Sequence, residues 1–284
     1  MNPCRIVLVM LLGSAALASA AEIHELRYVP SEETRFQLHR DHYVRNERTF
    51  MGNHLLDSLR TVSEQTLTIL KSDRSGVEIE LSYGTRSIAP PDAPADSVDC
   101  SALKGHRVGF HLSRTGDLSG YRGYADLPAI QIPAMGEELD ERRYKIETRF
   151  WFPHLPDRPV RVGDRWTARD AHKDRRGGST VDVVLDHEYT LLGPVPDSPG
   201  GLVRIDDAYT MTIEGTIDAG GLLLDLTMLG KGTDRWIFST RHGMVASQQG
   251  TLQIEGTAAN AELGIRAPIR NDYASSLTLT MLDR

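Results

Sequence analysis

Disulfide chemistry is missing from this chain. Its 284 residues include two cysteines, and Cys4 stands within the first five positions. Cys4 precedes an apolar run instead of following it, which is the wrong place for a lipid-anchoring cysteine. Cys100 is left without an internal partner, so no covalent staple supplements the core. A chain of this length buries enough apolar surface to fold without one. An excess of positive charge is missing too. Lys and Arg number 32 against 39 Asp and Glu, a net charge of −7, which argues against a nucleic-acid partner. The familiar catalytic and cofactor motifs are also missing: no G-x-S-x-G elbow, no H-E-x-x-H pair, no P-loop, no dinucleotide glycine pattern. Beyond residue 20 no apolar run approaches the length of a membrane-crossing helix.

The first twenty residues read as an export signal. A short n-region ending at Arg5 leads into an apolar run, 6–17, and then to Ala18, Ser19 and Ala20. That layout predicts cleavage near Ala20 and a mature chain of about 264 residues (284 − 20) located in the periplasm or secreted.

The remainder is dominated by period-two alternation, which puts apolar side chains on one face of a strand and polar ones on the other. Val77, Ile79 and Leu81 alternate with Glu78, Glu80 and Ser82; Val108, Phe110 and Leu112 with Arg107, His111 and Ser113. Tyr209, Met211 and Ile213 alternate with Thr210, Thr212 and Glu214, and Leu277, Leu279 and Met281 with Thr278 and Thr280. Strands with one wet face belong to antiparallel sheets. The expected fold is mainly β, with one or two short helices at 135–146 and 53–59. The first has acidic residues early and basic residues late, as a helix dipole favours.

Two segments repeat at a nearly constant offset. Residues 113–118 match 240–245 at 127 positions (243 − 116), and 76–79 match 201–204 at 125 (201 − 76). These anchors predict an internal duplication: a first β half over 21–134, a helical connector over 135–150 and a second β half over 151–284. The two curved sheets would lie side by side or close on one core.

At the start of the second half, Pro159 stiffens entry to an edge strand, Gly163 and Asp164 make a tight turn, and Trp166 packs on the sheet. Pro159, Val160, Gly163, Asp164 and Trp166 also fit a P-V-x-x-G-D-x-W segment. That segment resembles one found in uncharacterised exported bacterial β-rich proteins. The resemblance covers about fifteen residues and brings no activity with it.

Candidate chemistry is sparse, and no catalytic residue, metal ligand or cofactor is assigned. His39, Asp41 and His42, with His54, have the composition of a metal site, but residues three apart on a strand point to opposite faces. The run Asp170, His172, Asp174, Arg175 and Arg176, followed by two glycines, reads as a charged hairpin loop. Arg114 and Arg241 occupy matching turns; they could bind an anionic group in each half, but the preferred expectation is that they shield an edge or pair with nearby Asp117 or Asp234. Cys100, if exposed, would be open to pairing with another chain. The leading expectation is an exported, non-enzymatic cell-envelope protein that holds an apolar ligand or an envelope protein on a curved sheet. Its lining would come from Val77, Ile79, Leu81, Val108, Phe110, Tyr209, Met211, Ile213, Trp236 and Phe238. Lipid and lipoprotein carriers of the bacterial periplasm are similar in general plan. The alternative is a secreted hydrolase with a site assembled from dispersed residues such as His39, Asp41 and His42.

Overall fold

A computed structural model describes residues 22–50, 52–133, 137–176, 178–196, 198 and 201–282. The expected export signal, 1–20, and Met135 lie outside the described residues. Two series of antiparallel strands form the body. The first runs β2 (Arg35–Phe50), β3 (Asn53–Asp73), β4 (Gly76–Ala89), β5 (Arg107–Ser113) and β6 (Leu118–Arg122). The second runs β10 (Arg165–Arg176), β11 (Ser179–Pro194), β12 (Leu202–Asp218), β13 (Leu223–Ser239), β14 (Met244–Asn260) and β15 (Ile265–Met281). β15 pairs with β2, so both series join in one eleven-stranded sheet from β10 to β6 whose outer strands are not paired to each other. Strands of 17 residues in β12 to β15 span roughly 55 Å.

Every strand read from alternation is a strand, with its apolar set on one shared inner face. The expected helix at 53–59 is not formed. Those residues begin β3, paired with β2 from Phe50↔Asn53 onward. Leu55 and Leu56 are exposed while Leu59 is buried; partnership with β2 overrides local leucine spacing. The expected helix at 135–146 is displaced. Glu137–Leu139 is a strand (β8) pairing with Ile130–Ile132 (β7). The helix α1 is Glu141–Arg149, because the Asp140 side chain accepts a hydrogen bond from the Arg143 N–H and fixes the N-cap there.

The turns containing Gly76, Gly116, Gly201 and Gly243 all lie along one rim. At that rim the inner face is filled by a plug made of residues 24–30 and 150–160. The chain of β1 (Ile23–His24) pairs with β9 (Val160–Arg161). Tyr28 packs edge-on against Phe152 and Phe238, and Phe110 against Phe152. The rim turns clasp the plug through the backbone: Tyr28 N–H donates to the Arg114 carbonyl, Val29 N–H to that of Gly243, and Leu155 N–H to that of Thr115. Gly243 requires its glycine, since φ is +56° and an added Cβ would lie 2.7 Å from Val29.

The proline-bounded segment does what its residues suggested. Val160 is fully buried, and the Asp164 carboxylate accepts from the Arg161 N–H. The Trp166 indole donates to the His154 carbonyl at 2.8 Å and stacks on Tyr189.

Helix α1 straddles the inner side. Arg142 contacts Asp174 and the Arg175 carbonyl on β10. At its other end Glu147 receives a bidentate pair of hydrogen bonds from Arg86 on β4, at 3.0 and 2.8 Å, and lies 3.4 Å from Arg40 on β2.

Candidate functional site

The inner face carries two apolar clusters. The first includes the plug and takes in Val77, Ile79, Leu81, Val108, Phe110, Trp236 and Phe238. These seven were expected to line a ligand groove; the plug seals them into ordinary core. The second cluster lies toward the opposite rim and contains Leu185, Met211, Leu224, Leu226, Met228 and Ile254, with Tyr209, Ile213, Leu252 and Tyr273 partly buried against it. Its members come from the sheet and its hairpins alone. Tyr209, Met211 and Ile213 belong to this second cluster.

Tight packing there depends on missing side chains. Gly232 sits directly across from Tyr209, and a Cβ at Gly232 would come within 2.2 Å of the tyrosine ring. The ring lies over the glycine, which lets large residues fill the curved inner face.

Between the clusters runs a polar belt. Cross-strand registry sets Asp207, Asp234, Gly250, Ser275, His42 and Thr61 opposite one another on six successive strands, β12 to β15 and then β2 and β3. Gln248 donates to Asp234 at 2.6 Å and to Ser275 at 3.0 Å. His42 stacks on Tyr273, and burial, with Arg40 adding to it, pushes its imidazole down to about 4.

At the β10 end the belt becomes an alternating chain of carboxylates and imidazoles. His187 Nδ1 is 2.9 Å from Asp207 Oδ2, and its Nε2 is 3.7 Å from Asp170 Oδ2. Asp170 in turn is 3.0 Å from His154 Nε2, and His154 Nδ1 is 3.7 Å from Asp117. The chain leads from exposed Asp117 to Asp207, whose side chain is 1% exposed. Burial works against the charged form of His154, yet its hydrogen bond to Asp170 and the charges of Asp170 and Asp117 hold it above the ordinary histidine value. Burial raises Asp207 against the pull of His187. Burial also raises Asp234, to about 7, despite the hydrogen bond from Gln248. His187 Nε2, Asp207 Oδ1 and Trp236 Nε1 are buried without a hydrogen-bond partner, a costly state that native proteins keep for a reason.

The reading of 170–176 as loop is corrected: these residues belong to β10, and Asp170 faces inward. An edge strand beside a polar cluster is polar on both faces, so alternation of hydrophobicity vanishes. His187, Asp207 and Asp234 were missed although a signal existed. Each sits in the apolar register of its strand: His187 between Leu185 and Tyr189, Asp207 between Ile205 and Tyr209, Asp234 two before Trp236.

The alternative grouping comes apart. Asp41 is on the opposite face, ion-paired with Arg60; His39 is 4.0 Å from Glu64; His54 pairs with Glu47; and His42 is inside. Among the described residues no group of three or more His, Cys, Asp or Glu has metal-holding geometry. Cys100 is buried, which removes it from pairing with another chain, and burial raises its thiol. Arg114 donates to the Asp73 carbonyl, not to a carboxylate, and Asp234, a suggested neighbour of Arg241, is instead held by Gln248.

Two shallow troughs of about 770 and 880 Å³ lie on the outer face. In the first, Asp41 is paired with Arg60 and Asp206 with Arg235, and Glu188, Asp207 and Asp234 also border it. Among the described residues no helix is long and apolar enough to cross a membrane.

No protein-family model matches the chain. No curated protein matches it in sequence. The crystal structure of Pseudomonas aeruginosa OccK2 (OpdF) aligns over 89% of this chain and 100% of its own, at 8% identity and a TM-score of 0.31. A likeness that slight carries no argument about fold or function.

Proposed function

We propose that this chain is an exported, non-enzymatic binding protein of the cell envelope, and that it holds an amphiphile against the inner face of its open sheet. The observation that carries this reading is the junction of the second apolar cluster with the polar belt. Leu224, Leu226, Met228 and Ile254 form a wall built by the sheet alone, and it ends at buried polar atoms that lack partners. An apolar tail suits the wall, and a polar head suits the belt. Helix α1, tied to β10 at one end and to β2 and β4 at the other, is placed to cover such a ligand. The outer troughs are poorer candidates, since no Leu, Ile, Val, Met or Phe lines either of them. Hydrolysis is not favoured: among the described residues the hydroxyls bonded to the acid–imidazole chain meet the Asp117 carboxylate, from Ser113 and Thr115, or the His154 backbone N–H, from Tyr189, and not an imidazole, while Asp207 and Asp170 already lie against His187 and His154. The export signal and the segment with Pro159 and Trp166 support an envelope location, and the matched glycine turns along one rim support descent from a duplicated β unit.

The test is titration with a neutral environment-sensitive fluorophore. Ile213 is a partly buried inner residue of the second cluster, whereas Leu229 is 64% exposed on the outer face. Ile213→Lys is expected to weaken fluorophore binding on the order of tenfold, the cost of a charge against an apolar wall. Leu229→Lys should leave it unchanged, and thermal midpoints of both variants, measured alongside, separate lost binding from lost folding. Equal binding by all three proteins would overturn the assignment.

A further inference from the structure

Asp207 and Asp234 stand directly opposite on β12 and β13, an arrangement that is repulsive on a sheet unless something offsets it. Their neighbours offset it only in part. His187 covers one oxygen of Asp207, and Gln248 covers Asp234 Oδ1. Asp207 Oδ1 has no partner although the residue is 2% exposed, and His187 Nε2, equally without a partner, faces Asp170 across 3.7 Å. No lysine or arginine makes an ion pair with Asp170, Asp207 or Asp234 among the described residues, although the charge of Arg149 acts on Asp170; Arg40 and Arg86 are engaged by Glu147 on the far side. Three carboxylates thus face inward over three of four adjacent strands, and two belong to one cross-strand pair. The missing element is a compact donor of positive charge.

We infer that the head of the bound amphiphile is a primary ammonium group, received between Asp207 and Asp234 with its hydrogen bonds directed at the free carboxylate oxygens. This deepens the proposed function and rests on it. An ammonium offers three donors on a small centre, which matches acceptor-only carboxylates with an unused oxygen. Charge-assisted hydrogen bonds of this kind are roughly twice as strong as neutral ones. A carboxylate or phosphate head would instead add a like charge to the cluster. Tyr209 borders both the apolar wall and the acidic pair, with its ring across from Gly232. The first methylenes of the tail would lie against that ring.

The experiment is displacement of the neutral fluorophore from the full chain by three ten-carbon ligands: decylamine, decan-1-ol and sodium decanoate, all at pH 7.5 and below their aggregation limits. The expected order is decylamine tightest, by roughly tenfold over decan-1-ol, with decanoate weakest. Asp234→Asn should remove most of the decylamine advantage, read as the ratio of decylamine to decan-1-ol affinity. That variant keeps a side chain able to accept from Gln248, and its thermal midpoint is measured alongside. Decanoate binding as tightly as decylamine, or Asp234→Asn weakening alcohol and amine alike, would overturn the ammonium inference while the apolar site stands. Failure of decan-1-ol itself to displace the fluorophore would overturn the site, and the inference with it.

Discussion

Asp234 concentrates the chemistry of the inner face in one side chain. Burial raises it to about 7, with Gln248 pulling the other way. A carboxyl raised in the folded state favours its protonated form, so folding binds a proton that the unfolded chain releases near its ordinary value of 3.8. The resulting cost is absent at low pH, grows as pH rises above that value, and levels off past about 7. A shift of that size corresponds to at most about 4 kcal/mol. Asp234→Asn is therefore expected to gain stability over the parent progressively from pH 4 to 7 and to hold a constant advantage above that, as chemical denaturation at several pH values would record. An advantage independent of pH would mean that Asp234 is not held protonated. A protein that keeps a destabilising carboxylate here resembles others that trade stability for function.

At the scale of elements, α1 is fastened by charge. Burial alone would raise Glu147, but Arg86 and Arg40 overcome it and hold its carboxyl down at about 2. With the folded value depressed, the stabilisation is present above the ordinary glutamate range and is lost as pH falls toward 2. Glu147→Gln leaves the Arg86 guanidinium buried without its counter-charge. The expected loss is about 3 kcal/mol at pH 7, shrinking as the parent is acidified, and it is readable from thermal midpoints between pH 7 and 2. What the sequence disclosed about elements follows the same physics. β4, β12 and β15 were legible because each has one wet face and one dry one. α1 was misplaced by several residues because the capping role of Asp140 is visible only once β7 and β8 have paired. β10 was hidden because its inward residues, Asp170 and His172, face a polar cluster where apolar ones were sought. The beginning of β3 looked helical from Leu55, Leu56 and Leu59, yet its first two leucines are exposed and the strand is set by β2.

For the whole molecule, the decisive feature is that the plug enters the core at one rim while strands and hairpins of the sheet build the core toward the other. The plug spends Tyr28, Trp151, Phe152 and Leu155 on the first core, and nothing outside the sheet and its hairpins contributes to the second. Sequence alternation marked both sets as inner faces alike. Distinguishing them needed the plug, whose contacts join residues more than a hundred positions apart, as between Tyr28 and the Pro153 carbonyl. The central claim, that the second cluster and the polar belt hold an amphiphile, is tested most directly by native mass spectrometry of the full-length protein after gentle purification, beside Ile213→Lys. The parent is expected to carry a bound mass that organic solvent extracts and that contains an amine, greatly reduced in the variant. A bare chain in both, together with no uptake of the neutral fluorophore, would contradict that claim.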